Sequence, residues 1–491
     1  ADLACFVARC EGVTSLRIDD AGRLCASLAG LGEAGELVQE APIAWQLTPD
    51  GQRPLRVAFR LLGDNCYGFA AADLDPAFAA VVDPGVVWGT FLGGGSTDTV
   101  NGLAWREGVG VWVAGLAGST DFPVTPGVFQ TIGGVDAYVA RLAEDGQTLQ
   151  FATYLGGSST DEARAIALGP GDAATVVGVT RSTNFPVTPG ALQPSYGGNS
   201  PFISVGDGFV TRLGPAGDVL EASTYLGGLF DDVAEAVAID STGAAVVAGW
   251  TSSHDFPVGG NAAQSLLGGP AGAQSDGFVV RIASDKQVLL AGTFVGGPFN
   301  DQFLSLALDS NSGDVIVGGY SLGPGYPTTP GALRPSNPGG ADAIVTRLNA
   351  QASAFVFSTY VGGSGFDSAM AVHRDRDGRI WVGGTTQSAD LTTTPGAPWP
   401  QRIGGNDGFL AALTPDGQSL VYSTYLGGSG NDRIRGIASL ANDVVVVGEA
   451  GPGFPLTPDA VQVAHAGGVL DAFVLRLSAN GGTWSVGYGT Y

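Results

Sequence analysis

Along residues 90–491, apolar positions fall in short runs of four to seven, with no helical period. Ala236-Val-Ala-Ile-Asp240 and Ala244-Ala-Val-Val-Ala-Gly249 flank a turn and predict a hairpin. A long polar loop follows such hairpins, as in Ser119-Thr-Asp-Phe-Pro-Val-Thr-Pro-Gly127 and Ser182-Thr-Asn-Phe-Pro-Val-Thr-Pro-Gly190. A third strand then opens on Asp: Asp136, Asp207, Asp276, Asp342, Asp407 and Asp471. After a turn such as Pro415-Asp-Gly417 comes a fourth strand, such as Leu420-Val-Tyr-Ser-Thr-Tyr-Leu426.

That fourth strand ends in a phrase that recurs. It reads Thr90-Phe-Leu-Gly-Gly94, Thr153-Tyr-Leu-Gly-Gly157, Thr224-Tyr-Leu-Gly-Gly228, Thr293-Phe-Val-Gly-Gly297, Thr359-Tyr-Val-Gly-Gly363 and Thr424-Tyr-Leu-Gly-Gly428. Thr490 and Tyr491 begin it again, and the intervals are 63, 71, 69, 66, 65 and 66 residues. Six units of four short strands therefore fill the chain from residue 90. One such sheet has two apolar faces, and stacking units around an axis buries both. The expectation is an all-β protein: a β-propeller of six four-stranded blades, residues 86–491, behind a small N-terminal β module, residues 1–85. A linear β-solenoid competes, but it uses shorter, parallel coils.

These phrases, together with Asp-Ala-Phe-Val at Asp471, resemble the seven-bladed beta-propeller repeat family, SBBP. The resemblance implies exported bacterial proteins with a propeller body and supplies no settled activity. Two departures stand out. Unit three has Phe256-Pro-Val-Gly-Gly260 where Thr-Pro-Gly belongs, and unit five has Asp390-Leu-Thr in place of Asp-Phe-Pro.

The first ninety residues lack the repeat. Short strands are expected around residues 15–18, 23–25, 43–47, 55–61, 67–69 and 79–82. The region resembles the later half of the β-sandwich domain that precedes such propellers, through Glu11-Gly12, the Asp20-x-Gly22 turn and the exit Val82-Asp83-Pro84. A degenerate seventh blade is the rival reading. Leu47-Thr-Pro-Asp-Gly-Gln52 is identical to Leu413-Thr-Pro-Asp-Gly-Gln418 of unit five. Residues 86–92 read as a fourth strand without its own blade, expected to close the ring beside residues 484–491.

Composition narrows the function. Gly supplies 79 of 491 residues and only 14% are charged, which suits strands and tight turns. The net charge is −24, with a single lysine, Lys286. Nucleic acid needs clustered Lys and Arg, so it is excluded as a partner, as is an anionic membrane surface. No apolar run is long enough to span a bilayer as a helix. The chain opens on Ala-Asp-Leu with no visible signal peptide, which fits a processed or truncated form. All four cysteines, Cys5, Cys10, Cys25 and Cys66, lie in the N-terminal module. An even number in a Lys-poor chain predicts export and at least one disulfide, Cys5 with Cys10 excepted. Four buried free thiols is the other reading.

The candidate chemistry is sparse. His254, His373 and His465 occur in no nucleophile or metal motif. One Asp follows each Gly-Gly by four: Asp98, Asp161, Asp232, Asp301, Asp367 and Asp432. They read as turn acids that accept backbone N–H bonds. Calcium is the second reading, and no other cofactor is expected. An Arg lies five residues after the Asp of the third strand in every unit but the fifth, where Ala412 stands. Ion pairing within or between blades is expected there. Tyr154, Tyr225, Tyr360 and Tyr425 read as core, with a carbohydrate-stacking platform as the alternative. The loops around Phe122, Phe185, Phe256, Tyr326 and Phe454 are the expected partner-binding elements, because loops on a rigid scaffold carry function. The expected function is a non-catalytic, secreted or cell-surface scaffold that binds a protein partner through those loops or the N-terminal module. The alternative is a hydrolase, lyase or carbohydrate-binding protein with a site at the central channel.

Overall fold

The computed structural model describes residues 8–10, 13–20, 22–28, 36–39, 42–48, 51–71, 73–75, 79–83, 88–198, 205–440, 443–457, 460–480 and 483–491. Two compact units divide at residue 89.

Among the described residues of the N-terminal unit, nine strands form three three-stranded sheets. Val13–Ile18, Leu24–Leu28 and Glu36–Gln39 make one. Gly51–Leu55, Ile43–Thr48 and Ala79–Asp83 make the second, and Ala8–Arg9, Cys66–Ala71 and Val57–Gly63 the third. Among the described residues, none of these sheets is a four-stranded meander. The Leu47–Gln52 motif turns a hairpin here, with Thr48 opposite Gly51. Leu24, Phe59, Tyr67 and Phe69 form its core, with Phe59 and Tyr67 edge-to-face at 5.4 Å. Phe59 is buried, and Val57 packs against this core. The side chains of Ile43 and Trp45 lie outside the described residues.

The second unit is a propeller ring of six four-stranded blades, each an antiparallel meander. They span residues 98–155, 161–226, 232–295, 301–361, 367–426 and 432–490. The first strand of each blade carries a β-bulge, for example between Val100 and Gly102 and between Ala163 and Ala165. Each junction between blades buries one apolar layer. Between blades 1 and 2, Trp112, Ala114, Val139 and Leu155 meet Ala163, Ile166, Val176 and Phe209. Burial on both faces explains why the middle strands read as nearly continuous apolar runs rather than alternating ones.

The arginines of the third strands do not pair with the aspartates five residues earlier. The two sit at opposite ends of a strand and on opposite faces. Arg141 lies over the Trp112 ring and donates to the Pro215 carbonyl of blade 2. Arg281 pairs with Asp240 and donates to the Ala350 carbonyl of blade 4. Arg347 binds Asp309 and Asp314 at 2.8 and 2.9 Å and the Pro415 carbonyl of blade 5. Arg141, Arg281 and Arg347 thus each donate to a carbonyl of the next blade, while the ion pairs of Arg281 and Arg347 stay within their own blades.

The expected closing strand is not formed. Residues 84–87 lie outside the described residues, and residues 88–92 take no strand. Thr483–Thr490 pairs only with Asp471–Asn480 among the described residues. Blades 1 to 6 pack in succession, but no comparable packing joins blade 6 to blade 1 among the described residues.

Candidate interaction surfaces

The polar loop between the second and third strands is clamped by the recurring phrase. Phe122, Phe185, Phe256, Tyr326 and Phe454 are all buried, against Tyr138, Phe209, Phe278, Tyr360 and Phe473. In unit five Leu391 takes this place. The phrase tyrosine latches the loop: Tyr225 Oη donates to the Ser182 carbonyl at 2.8 Å and accepts the Phe185 N–H at 2.9 Å. Tyr425 does the same with Ser388 and Leu391, and Tyr491 with Gly451 and Phe454. The phrase threonine grips the loop further on, where Thr153 Oγ1 accepts the Gln130 N–H at 2.9 Å. These aromatic side chains are therefore anchors and cannot themselves touch a partner. The tyrosines are likewise core, so they offer no stacking platform.

What the loops expose lies beyond the anchors. Ile132, Leu266, Ile403 and Val463 are exposed, with Ile132 at 84%. The sequence held a signal for them that aromatic residues obscured. Each is an apolar residue one or two positions after a Gln in a polar loop: Gln130, Gln264, Gln401 and Gln462. Gln130 and Gln264 fix their loops by accepting the Gly156 and Gly296 N–H groups, each at 3.1 Å.

On this same side lie the six aspartates after Gly-Gly. Each accepts a glycine N–H: Gly94 to Asp98, Gly157 to Asp161, Gly228 to Asp232, Gly297 to Asp301, Gly363 to Asp367 and Gly428 to Asp432, at 2.6–2.9 Å. Ser182 Oγ and Thr180 Oγ1 also donate to Asp161. In blades 2 to 6 this Asp meets the third-strand Asp of the preceding blade. Asp136 with Asp161 and Asp342 with Asp367 are such pairs. Burial first, then the neighbouring carboxyl, pushes Asp136 up to about 6 and Asp342 up to about 7. Burial pushes Asp207 and Asp276 to about 7 as well. Oδ1 of Asp136, Asp207, Asp276 and Asp301 accepts no hydrogen bond within the described residues. Burial of these oxygens without a donor is the largest cause of the raised values. Among the described residues, no group of three or more His, Cys, Asp or Glu is placed to hold a metal ion.

Folding also makes one contact that no motif showed. His373 Nε2 and Ser439 Oγ lie 2.8 Å apart across the junction of blades 5 and 6. Ser439 borders a small cleft lined also by Asp375, Arg379, Asp443 and Trp484. Burial lowers the His373 pKa. Asp375 is not free to orient the imidazole. Its carboxylate accepts the Asp377 and Arg379 N–H groups and Trp381 Nε1–H. His254 is exposed in a loop of blade 3, and His465 lies 3.9 Å from Asp471 in blade 6, so the three histidines stay apart.

In the N-terminal unit, Cys10, just past the strand Ala8–Arg9, and Cys66, on the strand paired with it, are free thiols. Burial and then the Cys66 sulfur raise the Cys10 pKa. Cys25 is buried, and Cys5 lies outside the described residues.

A family model described as "Domain of unknown function (DUF7948)" matches residues 1–85. The "Regulatory protein FlaEY" of Caulobacter vibrioides is 28% identical over 268 residues, which cover 52% of this chain and 27% of that protein. The match thus spans about a quarter of the length of this curated relative. Sqt1 from Chaetomium thermophilum is 12% identical, with 78% of this chain and 82% of that chain covered and a TM-score of 0.35. BamB from Moraxella catarrhalis is 10% identical over 83% and 96%, with a TM-score of 0.30. A quinohemoprotein alcohol dehydrogenase from Pseudomonas putida HK5 is 10% identical over 88% and 61%, with a TM-score of 0.37. No helix among the described residues is long and apolar enough to cross a membrane.

Proposed function

We propose that this protein is a non-catalytic scaffold of the SBBP repeat type, exported by a bacterium to the cell surface, which binds a protein partner on the loop side of its ring. The observation that carries the reading is the display of Ile132, Leu266, Ile403 and Val463 on loops clamped at both ends. Apolar side chains held out on rigid anchors cost little entropy to bind with and gain from being covered. The distant likeness to a regulatory protein supports a binding role over a catalytic one. The acidic surface favours a partner with basic residues around an apolar centre.

The test is photo-crosslinking in the native host from positions 132, 266 and 403. One recurrent protein adduct is expected from all three. Ile132→Asp and Leu266→Asp should remove it without lowering Tm, because both side chains are exposed. Adducts that survive both substitutions would sink the loop reading.

A second reading, hydrolysis, rests on the Ser439–His373 contact alone. A serine-directed fluorophosphonate should leave Ser439 unlabelled, since no carboxylate orients His373. Labelling that Ser439→Ala abolishes would favour the hydrolase.

A further inference from the structure

The six blades repeat one framework, so a residue type that only some blades carry is not required by the fold. First strands pack against one another from blade to blade, which sets them at the inner edge of the ring. The bulge of each leaves one residue out of the pairing: Asn101, Arg164, Glu235, Leu304, Met370 and Arg435. A bulge re-aims the side chain it carries, and these six differ in chemistry. Those of blades 2 and 3 meet, with Arg164 Nε 4.0 Å from Glu235 Oε2. Arg164 Nη2 also lies 3.3 Å from Glu162 Oε2.

Aromatic residues gather beside this pair. Trp250 Nε1–H donates to Glu235 Oε1 at 3.3 Å. Tyr320 Oη donates to Gln302 Oε1 at 2.7 Å, and Gln302 Nε2 donates to Ser275 Oγ of blade 3 at 3.3 Å. The Phe366 ring stands 6.1 Å from that of Tyr320. Phe230 and Phe299 lie close against glycine backbone, since a Cβ on Gly272 or Gly323 would come within 2.5 Å of their rings. Phe299 is 41% exposed, and Phe230, Trp250, Tyr320 and Phe366 are half-buried.

The other blades do without these rings. Phe230 and Phe299 hold the second position after Gly-Gly, where Ser96, Ser159, Gly365 and Gly430 stand elsewhere. Trp250 and Tyr320 pair opposite the residue after the turn Asp, where Leu116, Val179, Thr385 and Glu449 stand elsewhere.

The polar groups limit what fits on these rings. Arg164 Nε donates to no acceptor among the described residues, and Glu235 Oε2 is too far for a hydrogen bond. A hydroxyl, which accepts and donates, satisfies both. A cationic ligand would meet Arg164 beside the carboxylate, and an anionic one would meet Glu162 and Glu235. An uncharged molecule with hydroxyls at its edge and C–H groups on its faces matches the rings and the polar pair together.

We propose that the inner rim of blades 3 and 4 binds a neutral saccharide. Its C–H faces stack on Trp250, Tyr320 and Phe299, and its hydroxyls bridge Arg164 and Glu235. The site shares no residue with the loop positions proposed for a protein partner.

The test is calorimetric titration of the whole chain with cellohexaose, maltohexaose and N-acetylchitohexaose. At least one should bind, with an affinity that does not change with salt. Trp250→Val and Phe299→Ser substitute the residues that blade 2 carries at these positions, so Tm should hold while each weakens binding by about tenfold. Arg164→Leu, the residue type of blade 4, should weaken it similarly. Ile132→Asp should leave saccharide binding unchanged, so this site and the loop reading fail separately. Binding of none of the three saccharides overturns the proposal. Binding that survives both Trp250→Val and Phe299→Ser overturns it as well. A hexa-arginine peptide that binds in their place and is released by salt makes the site a cation cage and also overturns it.

Discussion

The carboxyl groups of Asp136 and Asp161 meet across Gly156, where a Cβ would lie 2.6 Å from an oxygen of each. Only glycine fits between them, and the two acids come from adjacent blades. The same construction recurs at Gly227, Gly362 and Gly427. Buried acids with raised pKa values bind their protons more tightly in the fold than in the unfolded chain, where the value is about 3.9. Their contribution is complete below that value and is lost as pH rises through about 6 to 7, the folded values of Asp136, Asp207, Asp276 and Asp342. Asp240 and Asp309 act oppositely: hydrogen bonds and arginines hold them low, outweighing burial, and their contribution disappears in acid. Tm should therefore peak near pH 5, by the balance of the two groups, and fall toward pH 8. Asp207→Asn, which mimics the protonated acid, should flatten that fall. A Tm that rises from pH 5 to 8 would contradict the raised values of these buried acids.

Lys286, the single lysine, holds a left-handed turn position at φ 59° and buries its amine without a hydrogen bond. Burial, with Arg212 nearby, lowers its pKa to about 8. Keeping it charged costs the fold about 3 kcal/mol at neutral pH, the shift converted at 1.36 kcal/mol per unit. Lys286→Met should stabilise the protein by about 2 kcal/mol at pH 7, with the gain fading as pH rises from 8 past 10. Denaturant unfolding at pH 7 and pH 10 measures it.

Two tryptophans, Trp105 on a first strand and Trp381 on a second, differ in burial. Trp381 is fully buried between blades 5 and 6, edge-on to Trp484 at 4.9 Å, with Nε1–H on Asp375. Trp381→Ala should cost about 3–5 kcal/mol. Trp105→Ala should cost little, within about 0.5 kcal/mol, because no blade covers it. Equal losses in urea titrations of the two variants would mean that blade 1 is covered.

An exported protein would experience oxidising conditions. Arg9 is directly opposite Cys66 in the sheet, and the Cys10 N–H donates to the Asn65 carbonyl, so the two sulfurs are neighbours. Non-reducing peptide mapping of protein from the native host should recover a Cys10–Cys66 bridge. Recovery of both as free thiols would count against export.

The sequence determined the blade. Strand runs, Gly-Gly turns and their aspartates are local, so the recurring phrase placed all four strands of six units and the core tyrosines. Residues 88–92 misled, because a phrase that encodes a fourth strand forms one only where a third strand pairs with it. The aromatic residue of each loop marked where the loop lies but not what it displays: Phe122 folds inward, and Tyr154 of its own blade binds that loop. Only the tertiary structure decided which apolar faces are covered. Val100 and Ala163 carry the same local pattern, and what separates them is whether another blade stands behind the strand. That depends on neighbours some 65 residues away in the chain, which no local alternation of apolar and polar residues records.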